Sequence, residues 1–154
     1  METEVIEEQA AKAVGLILFE FTRLDSNLGL FVVWTNEGQN LKHLTSKFEG
    51  KGFSDRLKFI ENLAQKKFDI GSVELNKYNN WLKSAHEIRD IRNNLVHGRY
   101  GFIPQTGHVA NVVGLPTSSE QSETRYTIKE LNNIIKRIKE LSKRMHELRF
   151  EHPI

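Results

Sequence analysis

The stretch Arg89-Asp90-Ile91-Arg92-Asn93-Asn94-Leu95-Val96-His97-Gly98 decides how the rest of the chain is read. It forms the last turns of a long amphipathic helix running from roughly Val73 to His97, with Gly98 placed as the residue that ends it. The core seam of that helix, followed in steps of three and four, is Leu75, Tyr78, Leu82, Ala85, Arg89, Arg92 and Val96. It is apolar for three turns and then takes two guanidinium groups, against its own pattern. At about 100° per residue, Arg92 projects into the arc swept by Trp81, Ala85, Ile88, Ile91 and Leu95. Desolvating a cation there costs roughly several kcal/mol unless it has a partner or borders a wet cleft.

Outward from this stretch, 154 residues with 27% charged and 38% hydrophobic side chains describe one globular domain, residues 1–154. The absence of cysteine rules out disulfides, thiolate zinc sites and a thiol nucleophile. Glu2, Glu4, Glu7 and Glu8 open the chain with the opposite of a signal peptide, so a cytoplasmic protein is expected, without membrane attachment. A net charge of +2 does not by itself argue for nucleic acid. The basic element is the last helix, where seven Lys and Arg face three Glu between Ile128 and Phe150. That face suits a phosphate backbone, and it equally suits plain solvent.

Residues 3 to about 36 read as a first helix, with Val14, Ile17, Phe21, Leu24, Leu28 and Val32 on one stripe. Leu16, Phe19, Leu30, Phe31, Val33 and Trp34 lie beside or off it, which fits either a second subunit or one wide stripe in a thick core. Gly38 to Gly52 reads as a loop carrying Lys42, His43, Lys47 and Lys51. A helix from about Ser54, its N-cap, to Lys66 follows, with Leu57, Ile60, Leu63 and Ala64 inward. After the helix that ends at His97, four of the ten glycines fall between 98 and 114. Tyr100 to Ile103 and His108 to Val113 predict a small β-hairpin in an insertion spanning about 99–126, and Thr117 to Thr124 reads as a polar connector. Thr127 and Glu130 form a capping box for a last helix whose seam is Leu131, Ile134, Ile138, Leu141, Met145 and Leu148. The expected fold is all-α: an up-and-down four-helix bundle with a small β-hairpin insertion before the last helix.

Arg92-Asn93-x3-His97, near the end of a long helix, resembles the Arg-x4-6-His signature of HEPN domains. These are small helical domains, commonly dimeric, many of them metal-independent RNA endonucleases. The motif covers about a dozen residues, and the helical plan extends the likeness more loosely. The resemblance implies an RNase of a prokaryotic toxin–antitoxin or antiviral system, acting on RNA as a homodimer and regulated by an antitoxin or another protein. It implies no cofactor and no metal. By the same resemblance, His97 serves as general base or acid, Arg92 holds the scissile phosphate, and Asn93 orients His97 or contacts substrate. One HEPN branch carries a tyrosine two residues after the histidine, where its antitoxin adds AMP. Here that position is Arg99, an added cation, and Tyr100 comes one later as a candidate modification site.

The residue chemistry agrees with that role. Metal-free RNA cleavage needs a proton taken from the ribose 2′-OH, a proton given to the leaving 5′-oxygen, and donors for the charge on the phosphoryl oxygens. Histidine has both protonation states within reach near neutral pH, and arginine presents a fixed fork to phosphate. Five residues, however, set Arg92 and His97 about 140° apart around a helix. His86, Arg89, Asn93 and His97 align better, at steps of three, four and four, which makes Arg89 a second phosphate ligand and His86 a further substrate contact. Other roles stay open. His97 is also placed to cap the helix, and Arg92 to pair with Glu20 or Asp25. His86 and Asp90 have metal-ligand spacing but no third ligand. A non-catalytic HEPN-like dimer that binds RNA or a partner protein is the alternative, and a structural subunit of a larger assembly is a third.

Overall fold

The computed structural model describes residues 2–154, and among them the chain is mostly helical with one small sheet. The order is α1 (Thr3–Val33), α2 (Leu41–Phe48), α3 (Phe53–Lys67), α4 (Val73–His97), β1 (Arg99–Ile103), β2 (His108–Val113), β3 (Ser122–Thr127) and α5 (Ile128–Glu151). The expected four helices and hairpin therefore become five helices and a three-stranded antiparallel sheet, ordered β1-β2-β3. No helix among the described residues is long and apolar enough to cross a membrane.

The long helices follow their apolar seams. On α1, Ile17, Phe21, Leu24, Leu28 and Val32 are buried as the spacing predicts, and so is Phe31. Off the stripe, Leu16, Leu30 and Trp34 are exposed and Phe19 more so, at 67%. The helix stops at Val33, short of residue 36, because Thr35 turns its hydroxyl back onto the Val32 carbonyl at 2.8 Å. Asn36, Glu37 and Gly38 then take left-handed backbone. Gly38 cannot be replaced cheaply, since a Cβ there would stand 2.7 Å from the Trp34 ring.

Three expectations need correction here. The loop assigned to Gly38–Gly52 contains α2, which buries Leu44 and Phe48 with Leu41 half-buried beside them. A step of three and a step of four suffice for an eight-residue helix that leans on its neighbours. The polar connector Thr117–Thr124 gives up its last residues to β3, which pairs with β2 from Ser122 opposite Val113 to Thr127 opposite His108. The N-cap of α3 is Gly52, not Ser54, and it makes no side-chain cap bond. By contrast the capping box forms as expected: Thr127 N–H donates to Glu130 Oε2 at 3.2 Å and Glu130 N–H to Thr127 Oγ1 at 3.1 Å.

The chain divides into two compact units, and α1, α4 and α5 each give residues to both. The first comprises residues through Phe21 and Ile88–Ile138, which includes the sheet. Its buried side chains include Ile6, Ala10, Ala13, Ile17, Leu95, Val109 and Leu131. The second comprises Thr22–Glu87 and Lys139–Ile154. Its core holds Leu24, Leu28, Leu57, Ile60, Tyr78 and Met145. Here Trp81 Nε1 donates to the Leu141 carbonyl at 2.9 Å and Tyr78 hydroxyl to the His152 carbonyl at 2.6 Å. Arg56 Nη1 donates to Asp25 Oδ1 at 2.9 Å and to the Asp25 carbonyl at 3.1 Å.

Candidate functional site

The site residues, apart from His86, lie in the unit built around the sheet. Helix α4 stays α-helical through His97, and β1 begins at Arg99 with only Gly98 between them. Gly98 makes that joint through space rather than through a left-handed backbone, so it is not the helix-ending conformer that its position suggests. A Cβ on Gly98 would run into the Asn111 amide and would stand 2.7 Å from the Asn94 carbonyl oxygen. That carbonyl accepts twice, from Gly98 N–H at 2.8 Å and from Asn111 Nδ2 at 3.0 Å.

Asn111 is 1% exposed on the central strand, and its Oδ1 is buried without a hydrogen-bond partner. Pleating sets Asn111 on one sheet face with Val109, Tyr100, Phe102 and Tyr126, their register partners and neighbours. Sequence reasoning passed over Asn111. Its signal was a lone amide inside the apolar run Val109-Ala110-Asn111-Val112-Val113.

Arg92 is half-buried, and its guanidinium carbon lies 4.3 Å from the centre of the Phe21 ring. Its Nε is buried without a hydrogen-bond partner. Of the two carboxylates considered as partners, Asp25 belongs to Arg56. A cation over an aromatic face recovers about 0.5–2 kcal/mol, which offsets part of the cost of half-burying the guanidinium. With its Nε buried and left without a partner, the position favours an anion.

His97 is exposed at the helix end, and Asn93 is half-buried one turn earlier. Because α4 does not unwind, Arg92 and His97 keep their separation of about 140° around the helix. Arg89 Nη2 donates to Asp90 Oδ1 at 2.8 Å. His86 is half-buried on α4 and belongs to the other unit. Arg99 is exposed, with two of its guanidinium nitrogens engaged within the protein. Its Nη1 donates to the Gly114 carbonyl and its Nη2 to Gln121 Oε1, both on the stretch between β2 and β3.

The Tyr100 hydroxyl donates to the Leu95 carbonyl, and burial followed by the neighbouring Tyr126 pushes its pKa up. Burial, then Glu130, does the same to Tyr126. Tyr100 is thus a second clasp on the last turn of α4. Tyr100 and Phe102 also form one wall of an apolar groove of about 350 Å³ whose other wall is Ala10, Ala11 and Val14 of α1. Among the described residues no three His, Cys, Asp or Glu side chains come together as metal ligands.

The structure thus gathers Arg92, Asn93, His97, Arg99 and Tyr100 at one helix-to-strand joint, with Arg92 and His97 on different sides of α4. No family model matches this chain, and neither a curated protein nor a solved structure does.

Proposed function

We propose that the protein is a metal-independent RNA endonuclease of HEPN type, built on a helical bundle and working as a homodimer in a prokaryotic toxin–antitoxin or antiviral system. The observation that carries this reading is Arg92. Its guanidinium is fixed over Phe21, half-desolvated and lacking a partner for Nε, five residues before an exposed histidine. A phosphodiester supplies the anion that such a group lacks. The biological system rests on the resemblance of Arg92-Asn93-x3-His97 alone.

In this reading the ribose 2′-oxygen attacks phosphorus and the bond to the 5′-oxygen breaks, leaving a 2′,3′-cyclic phosphate and a 5′-hydroxyl. A histidine takes the 2′-OH proton, and a protonated histidine returns one to the leaving oxygen. Arg92 neutralises the phosphoryl oxygens, and Asn93 orients His97. Two protomers related by a two-fold axis supply two histidines and two arginines. Pairing also answers the angular problem, because His97 of one protomer can meet the phosphate held by Arg92 of the other. Exposed apolar side chains in the same unit, Leu16, Phe19 and Val96, give such a pairing something to bury.

The same angular separation favours a second reading, a dimer that binds RNA or a partner protein without cutting. Cleavage of structured and unstructured RNAs in EDTA by wild type, His97→Ala and Arg92→Ala separates the two. Cutting that both substitutions abolish, in folded dimers, is the expected result. Equal cutting by all three proteins identifies a contaminating nuclease and ends the assignment.

A further inference from the structure

The second unit contains an open cleft of about 570 Å³ between α2, the C-terminal end of α3 and the end of the chain. We infer that this cleft is a binding site for single-stranded RNA, formed by His43 and Lys47 of α2 with Phe59, Lys66 and Lys67 of α3. The inference rests on the reading of RNA as the substrate and adds a place where the strand is held apart from the site of cutting.

Charge is the first argument. Three lysines and a histidine line the cleft; no Asp or Glu side chain does, and Ile154, with the α-carboxylate, offsets only one of these charges. The chain as a whole carries a net charge of only +2, so this is a local concentration. Two of the lysines are held in place. Lys67 Nζ donates to the Pro153 carbonyl at 2.6 Å, and Lys47 Nζ stands 5.5 Å from the Phe48 ring centre and 6.0 Å from that of Phe59.

The second argument is what accompanies the charge. Phe59 is half-buried in the cleft wall, braced edge to face by Phe48 at 5.0 Å. Two exposed carboxamides, Asn36 and Asn40, stand at the rim. Cations for the backbone, a braced aromatic ring for a base and neutral amides for base edges are the parts of a single-strand site. An acidic peptide would use the lysines and leave the ring and amides idle.

Lys66 and Lys67 also sit in the last turn of α3, where the helix dipole favours them. That accounts for two charges at a helix end. It does not account for Lys47 and His43 converging on them from another helix, nor for the lack of any Asp or Glu side chain in the lining.

The test is fluorescence anisotropy of a fluorescein-labelled single-stranded oligouridylate of about 20 nucleotides, across a salt series, on the full chain carrying His97→Ala so that the probe survives. Lys47→Glu with Lys66→Glu is expected to weaken binding more than tenfold. Losing two phosphate contacts would flatten the slope of log K against log salt by about 1.4. Lys47→Arg with Lys66→Arg should retain most of the affinity. Phe59→Leu, which keeps apolar volume and removes the ring, should weaken binding at least fivefold with the slope unchanged.

Unchanged affinity and slope in the double Glu variant overturn the inference, as does the lack of binding by the parent protein. Competition by polyglutamate as effective as that by unlabelled RNA, with Phe59→Leu indifferent, assigns the cleft to an acidic protein instead. Cleavage in EDTA tests the nuclease reading separately. RNA cut by a protein whose binding ignores Lys47 and Lys66 sinks only the cleft. Binding that depends on them, with no RNA cut, sinks only the nuclease.

Discussion

The side-chain amide of Asn111 donates to the backbone carbonyl of Asn94 at 3.0 Å, tying the central strand β2 to the last turn of α4. Every candidate catalytic residue lies within three positions of that carbonyl. Asn111→Ala should therefore act on both stability and activity. The lost bond and the space left behind should cost about 1–3 kcal/mol in urea denaturation. RNA cleavage should fall more than the population of unfolded protein accounts for. A variant as stable as wild type would show that the tie contributes nothing.

Gly98 and Gly15 make a matched pair. At Gly98 a Cβ meets the Asn111 amide and two backbone oxygens, whereas at Gly15, inside α1, it meets nothing within 4 Å. Gly98→Ala is expected to destabilise by about 1–3 kcal/mol through overpacking. Gly15→Ala should stabilise by about 0.5–1 kcal/mol through helix propensity. Thermal melts of the two single variants check both signs.

Arg92 should prove expensive to keep. Arg92→Met replaces a half-buried cation whose Nε lacks a partner with an apolar chain of similar length. It is expected to leave stability unchanged or raise it by up to about 1 kcal/mol, while abolishing cleavage. A double-mutant cycle with Phe21→Leu should return a coupling of about 0.5–2 kcal/mol for the cation and ring. A loss above about 2 kcal/mol in Arg92→Met alone would mark the residue as structural.

Alkaline pH should unfold the protein through its tyrosines. Burial raises the pKa of Tyr78, Tyr100 and Tyr126 in the fold. Each raised group contributes stability that is complete below the unfolded value of about 10 and is lost as pH rises through the folded value. Chemical denaturation repeated in steps above about pH 9 should show stability falling, together with tyrosinate absorbance that lags behind that of the unfolded chain. Tyr78→Phe should flatten the fall. At neutral pH it costs about 0.5–1.5 kcal/mol for the bond to the His152 carbonyl.

Long apolar periods were legible. The seams of α1 and α5, the apolar first turns of the α4 seam, the hairpin strands β1 and β2 and the capping box at Thr127 all follow from spacing. Val96, placed on the α4 seam, is instead exposed while Leu95 beside it is buried. Strand β3 escaped notice because Ser-Glu-Thr-Arg-Tyr-Thr is an edge strand with polar side chains on both faces, which silences the hydrophobic signal. Helix α2 escaped because two turns are too few to establish a period, although Leu41, Leu44 and Phe48 carry its spacing.

At the site, the anomaly of Arg92 was visible as a broken seam, but its Phe21 partner was not, because that contact joins residues 71 positions apart. Asp25 found Arg56 over 31 positions by the same kind of contact. Arg99 looked like a spare cation until the β2–β3 stretch folded back to occupy it.

Helix ends ordinarily fray, and a histidine in a last turn would then sample many positions. The joint at Gly98 removes that freedom, since one residue separates the helix from a paired strand and Asn94 is gripped from two directions. Amide hydrogens at Gly98 and in the last turn of α4 should exchange with solvent as slowly as those of β2. Whatever His97 does, it does from a fixed mount, with only its own side-chain torsions to aim it.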